Sequence, residues 1–201
     1  MTLTKLAAEL KRASRFSATK RVLPALWLLS DSQRLSNPRA ALGRLPTGSG
    51  FIFRNYDQPG REFMARELLR VCRQRRIIFL LAGDWRMALR VGADGAHFPE
   101  ALAHQAHAIR STKPNAIVTV AAHSARGILR ARQSGADAVL LSPVFVTQSH
   151  PEATPLGPGR FAKLTCGARL PVIALGGIDL QTARRLKGGG AAGIAGISGI
   201  V

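Results

Sequence analysis

Short apolar runs alternate with stretches of helical period along almost the whole chain. The runs lie at 25–29, 50–54, 77–81, 116–121, 171–175 and 191–197, with two more closing VGADGAHF (91–98) and SGADAVLL (134–141). The last two runs of the chain are apolar throughout, which predicts strands covered on both faces, as in a parallel sheet. Helical segments are predicted between the runs, at 38–45, 62–75, 85–91, 101–110, 124–134, 161–165 and 179–187. Pro38 suits a first helical turn and Asp179 suits an N-cap. Across the 62–75 helix the spacing puts Phe63, Leu68, Leu69 and Cys72 on one side. Eight strand–helix units in series predict an α/β fold, a (β/α)8 TIM barrel.

A weak internal repeat supports that reading. VGADGAHF, SGADAVLL and GGAAGIAG (189–196) share a glycine, small residues and an apolar run. Gly92, Gly135 and Gly190 are placed to end a helix in a left-handed cap before a strand begins. Asp94 and Asp137 then fall on helix-to-strand loops, opposite a barrel's active face, and read as structural. The stretch SPVFVTQSHPEATPLGPGR is a long loop after the sixth strand, and loops of that length are often functional. The last run lies at the end of the chain, so the eighth outer helix is expected to be short or missing. Residues 1–21 read as a basic helix that closes the bottom of the barrel or as a loose tail, and either this segment or a second subunit in a homodimer would cover the gap. Residues 22–201 form the barrel domain.

Composition narrows the classes. The chain of 201 residues carries 29 Lys and Arg against 11 Asp and Glu, a net charge of +18. Such a surface attracts anions, phosphorylated metabolites among them. The cations are dispersed and only 5% of the residues are aromatic, which disfavours a nucleic-acid interface built on base stacking. No apolar run is long enough to span a bilayer, so no membrane role is expected, and the N-terminal residues lack a secretory signal's apolar core. Cys72 and Cys166 lack metal-ligand spacing and read as free thiols of a cytoplasmic protein.

The chemistry concentrates where barrel strands end. Gly177, Ile197 and Ser198 follow the seventh and eighth strands, whose loops commonly form a phosphate cup of backbone N–H donors. The same glycines also serve simply to turn the chain. His123 follows the fifth strand, where an imidazole can take and give a proton near neutral pH. Arg54 ends the second strand and can grip a phosphate or carboxylate, and Tyr56 is placed beside it by strand alternation. Thr147 and Ser149 offer hydroxyls from the long loop. The carboxylates Asp31, Asp57, Asp84 and Glu100 do not pair locally, and His104 with His107 lacks a third ligand, so no metal site is expected.

LWLLSD (26–31), IFRNYD, VGADGAHF, VAAHS (120–124), the run 135–157, PVIALGGI (171–178) and the closing AGIAGISGI together resemble the thiamine phosphate synthase/TenI family. The resemblance covers about 25–201. It implies a (β/α)8 barrel that takes a phosphorylated thiazole, with the phosphate on Gly177, Ile197 and Ser198 and with Thr147 serving the same site. The departures have a direction. The synthases' Gln-Leu-Arg-x-Lys pattern keeps Arg54 but has Ile52 and Tyr56 at its ends. Their magnesium-binding Asp positions hold Ala82-Gly83 and the Ala101–Leu102 region. Ala121 replaces a Ser, and His150 a Lys. The pattern resembles the TenI branch better, which implies metal-independent tautomerisation of a thiazole phosphate, with His123 moving the proton and Arg54, Tyr56 and Ser149 orienting the substrate. Two other readings stay open: a divergent thiamine-phosphate synthase, with Mg²⁺ as its cofactor, and a non-catalytic binder of phosphate ligands.

Overall fold

The apolar runs become eight parallel strands in the computed structural model, which describes residues 1–16, 22–148 and 152–200. They are β1 (Leu26–Leu29), β2 (Gly50–Phe53), β3 (Ile78–Ala82), β4 (Gly95–Phe98), β5 (Ile117–Ala122), β6 (Ala138–Leu141), β7 (Val172–Leu175) and β8 (Gly193–Gly196). Each strand pairs with the next. β8 pairs back onto β1 through Leu26↔Ile194, Trp27↔Ala195 and Leu28↔Gly196, so the barrel closes. The helices that follow the strands are α2 (Pro38–Arg44), α3 (Arg61–Gln74), α4 (Trp85–Val91), α5 (Ala106–Thr112, after a 3₁₀ turn at Glu100–Gln105), α6 (Ala125–Gln133), α7 (Gly157–Gly167) and α8 (Leu180–Arg184).

Local chemistry starts these helices. Asn37, Asp84 and Ser124 each cap a first turn, accepting from Ala40 N at 2.9 Å, Met87 N at 2.9 Å and Gly127 N at 3.1 Å. Asp179 forms a capping box with Thr182. At the other end of the barrel, Gly92, Gly135 and Gly190 adopt φ of 81°, 76° and 78°, the left-handed conformation expected of them. Asp94 accepts from Phe79 N at 2.8 Å, and Asp137 accepts from Val118 N at 2.8 Å and from Arg110 at 2.7 Å. Both carboxylates clip a strand to its neighbour, which is the structural role their position suggests.

Two apolar layers follow from strand alternation. Trp27, Leu29, Ile52, Leu80, Leu140 and Ile173 fill the barrel interior, while Leu28, Phe51, Phe53, Phe79 and Phe98 face the helices. Trp27 fits because its strand partner is Gly50, where a Cβ would stand 2.1 Å from the indole.

The N-terminal residues are neither a loose tail nor a cap on the barrel's end. α1 (Leu3–Ala13) lies against β1, β8 and α8, with Leu6, Ala7 and Leu10 buried in the outer apolar layer. Glu9 pairs with Lys187 at 2.8 Å. Beyond β8, residues 197–200 form only bends and turns, so α1 takes the eighth place in the ring of helices. Two other expectations change. Phe63 is 71% exposed, and Ala65 joins Leu68, Leu69 and Cys72 on the buried side of α3. α7 is longer than the predicted 161–165 and takes up the end of the long loop.

If α1 is an integral helix of the ring, truncating its most buried leucine will be costly. Leu6→Ala should destabilise the whole chain by about 2–5 kcal/mol in urea unfolding. A loss below about 0.5 kcal/mol would mean that α1 adds nothing to the fold.

Candidate active site

The C-terminal ends of the strands open into one cleft of about 980 Å³. It is lined by Arg54, Tyr56, His123, Thr147, Gly177, Ile197 and Ser198 together. These come from loops spread over the chain, and barrel closure brings them to one face. Ser149, the remaining expected site residue, lies outside the described residues. The cleft wall also carries Arg34, His97, Ser142 and Arg185, which sequence reasoning did not single out.

The loops after β7 and β8 leave backbone donors that an anion could use. The backbone N–H groups of Gly177, Ile197 and Ser198 make no hydrogen bond to any described residue, although their loops are otherwise well tied. The Gly177 carbonyl, for instance, accepts from Thr182 Oγ1 at 2.8 Å. Gly177 sits at φ +64°, and a Cβ there would come within 2.3 Å of the Val146 carbonyl. Only glycine therefore lets the β6 loop close over this turn. The free donors, Ser198's hydroxyl and the nearby Arg185 guanidinium can together receive a phosphate.

The loops after β1 and β2 form a cationic wall. Buried Ser30 donates to Asn55 Oδ1 at 2.6 Å and accepts from Arg54 N at 2.7 Å, which fixes the backbone where β2 ends. Asp31 caps its own turn, accepting from Gln33 N and Arg34 N, and its other oxygen holds the side chains of both Arg34 and Arg54, the latter at 3.1 Å. These bonds, foremost the one from Arg34, bring the Asp31 carboxyl down to about 2. Tyr56 reaches the cleft from a turn and not by strand alternation, because β2 ends at Phe53. Burial pushes its hydroxyl pKa up against the pull of Arg54 and Arg61, so it remains a donor.

His123 follows β5, across the barrel from β1, and lines the same cleft. Its Nδ1 lies 2.8 Å from the Ser142 carbonyl, which can only accept, so Nδ1 carries the hydrogen and Nε2 of the neutral ring keeps a lone pair. Its backbone N–H donates to Glu100 at 3.2 Å. The imidazole is thus oriented to accept a proton through Nε2.

A magnesium ion does not fit the donors present. Ala82 and Gly83 offer no carboxylate after β3. Glu100 is engaged by His123 and Arg130, Asp84 caps α4, and Asp31 is held by two arginines. Among the described residues no three His, Cys, Asp or Glu side chains gather to hold a metal. Nor is any described helix long and apolar enough to cross a membrane.

Of the residues missed from the sequence, His97 had a usable signal. It lies in β4 between Ala96 and Phe98, which face outward, so alternation turns it inward. Arg34, on a loop, and Arg185, just after α8 in a stretch rich in charge, had none.

Comparison with known proteins agrees with this architecture. The family model described as thiamine monophosphate synthase matches residues 39–200. A protein of Aquifex aeolicus named putative thiamine-phosphate synthase 2 is 37% identical over 88% of this chain and 97% of its own. A thiamine-phosphate synthase of Geobacillus kaustophilus is 28% identical over 88% and 84%. Among solved structures, a thiamine phosphate pyrophosphorylase from Pyrococcus furiosus superimposes with a TM-score of 0.70 at 26% identity, covering 86% of this chain and 85% of its own.

The Asp31 cluster predicts a pH effect on stability. A carboxyl with a folded pKa near 2 stabilises the fold above its unfolded value of about 3.9, and this contribution disappears as the pH falls through the folded pKa. Between pH 5 and pH 2 the wild type should lose about 2 kcal/mol more than Asp31→Asn in urea unfolding. Parallel losses in the two proteins would refute the assignment.

Proposed function

The chain belongs to the thiamine monophosphate synthase/TenI family, and from that membership we propose that it is an enzyme of thiamine biosynthesis that joins a thiazole phosphate to a pyrimidine pyrophosphate. The observation that carries this reading is the cleft itself. At about 980 Å³ it has room for two small molecules, and it holds two separate sets of anion donors. Gly177, Ile197, Ser198 and Thr147 would hold the thiazole's phosphate. Arg34, Arg54 and Tyr56 would face the pyrophosphate. In the reaction the thiazole nitrogen's lone pair forms the new N–C bond at the pyrimidine methylene, while the C–O bond to pyrophosphate breaks and its electrons leave with the pyrophosphate. Charge accumulates on that leaving group, and guanidinium donors in a partly desolvated cleft stabilise it. Among the described residues no carboxylate set for a metal accompanies them, so the coupling is proposed to run without bound magnesium.

A second reading rests on the orientation of His123. With Nδ1–H fixed on Ser142, the lone pair of Nε2 suits abstraction and return of a proton, which is the isomerisation of a thiazole phosphate. The relatives' names favour the first reading.

The two readings separate in one experiment. The protein with both substrates and EDTA should release thiamine phosphate and pyrophosphate, and Arg54→Met should lower kcat/KM by about 10²–10³. His123→Ala should leave coupling within about tenfold and abolish any tautomerisation. Failure of coupling with or without added Mg²⁺, beside His123-dependent tautomerisation, would put the second reading in place of the first.

A further inference from the structure

We infer that His97 is a fixed hydrogen-bond donor at the floor of the cleft, its tautomer set by Thr119, and that it positions an anionic oxygen of the bound ligand beside Arg54. The inference deepens the proposed function and rests on the cleft being a substrate site.

His97 faces the barrel interior from β4 and is 4% exposed, yet it lines the cleft. Its strand partner is Thr119 on β5, fully buried, and His97 Nδ1 lies 2.9 Å from Thr119 Oγ1. That contact is the Thr119 hydroxyl's single hydrogen bond among the described residues. A sealed hydroxyl needs an acceptor for its proton, and Nδ1 is the one at hand. If Nδ1 carried the ring hydrogen instead, Thr119 Oγ1 would accept it and the hydroxyl's own proton would be left in the core with no acceptor among the described residues. Thr119 therefore donates to Nδ1, and the hydrogen of the neutral ring sits on Nε2.

Nε2 has no partner among the described residues. It is not walled into the core either, since Arg61 Nε is the one buried side-chain polar atom left unpaired among them. The His97 Nε2–H thus opens on the cleft, where the Arg54 charge acts on the ring. Burial first, and Arg54 second, bring the imidazole down to about 3. The ring stays neutral through the working pH range and neither takes nor gives up a proton there. Its chemistry is opposite to that of His123, which offers a lone pair. The floor of the cleft presents Nε2–H, the Arg54 guanidinium and the Tyr56 hydroxyl, a set that recognises carboxylate, phosphoryl or pyrophosphoryl oxygen. Thr119, which touches no ligand, is a positioning residue acting through His97.

The ring nitrogens report this directly. In the full-length ¹⁵N-labelled protein, with His97 assigned by its loss in His97→Gln, long-range ¹H–¹⁵N spectra should show the Nε2–H tautomer unchanged from pH 5 to pH 8. Adding inorganic pyrophosphate, and separately thiazole phosphate, should shift the Nε2 signal for at least one of them. Thr119→Val should mix the tautomers and weaken that ligand about tenfold, while Thr119→Ser restores both. If Thr119→Val does not fold, the wild-type spectra decide. An Nδ1–H tautomer, a titration within that range, or an unmoved Nε2 while a ligand binds would overturn the inference and leave the proposed function standing. A wild type that binds neither probe would overturn both.

Discussion

The seam between β8 and β1 is the constraint on which the rest of this structure depends. Pairing of the last strand with the first removes both edges of the parallel sheet and closes it into a barrel. That pairing sets Ile194, Ala195 and Gly196 against Leu26, Trp27 and Leu28. The loops after β8 and β1 are thereby made neighbours, although they stand at opposite ends of the chain. The backbone donors at 197–198 and the arginine cluster around Asp31 meet in one cleft for this reason. The seam also needs an outer cover. α1 supplies it with Leu6, Ala7 and Leu10, while Lys11 donates to the Leu23 carbonyl and Glu9 pairs with Lys187.

Charge in the cleft is arranged so that cations are available without being free. Asp31 holds Arg34 and Arg54 together before any ligand arrives, which lowers the repulsion between two guanidinium groups and fixes their direction. An incoming anion meets an oriented wall and pays less in side-chain entropy than it would with loose surface cations. The cost is competition, because the same carboxylate repels the ligand. His97 avoids that cost by remaining neutral and donating. The net charge of +18 acts at longer range, drawing anions toward the protein, and does not choose among them.

Much of this was legible in the residues, for reasons that can be named. The strands were visible because parallel strands bury both faces and read as plain apolar runs. The start of α8 was visible because Asp179 caps in a way that depends on a few neighbours, whereas the caps at Ser124 and Asp84 were not recognised. Asp94 and Asp137 were read correctly as structural, since the direction of a βα unit decides which end of the barrel a loop occupies. What failed depended on distant contacts. Phe63 sits at a plausible spacing for the core, yet Ala65 takes the inward position against the neighbouring elements and the phenyl ring is left in water. Tyr56 could not be oriented by alternation because the strand stops at Phe53. Whether α1 capped the barrel's end, hung loose or filled the ring was decided by the vacancy beside β8, which no local pattern encodes. Arg34 and Arg185 resemble any other surface arginine until the barrel closes.

The family relationship and the geometry constrain the chemistry from different directions. Relatives named for the synthase reaction argue for two substrates, and a cleft with two donor sets can take them. The ends of β3 and β4 carry no carboxylates disposed for a metal, so under the proposed coupling the leaving group's charge must fall on guanidinium and imidazole donors. That exchange is chemically reasonable for pyrophosphate. A guanidinium offers several directed hydrogen bonds, keeps its charge at every relevant pH, and grows stronger as the cleft loses water. It cannot polarise an oxygen as sharply as a divalent ion does, so geometric precision has to carry more of the stabilisation. The fixings seen here supply such precision: Ser30 on the Arg54 backbone, Asp31 on both guanidinium groups, and Thr119 on His97. They hold the donors in place before the charge develops.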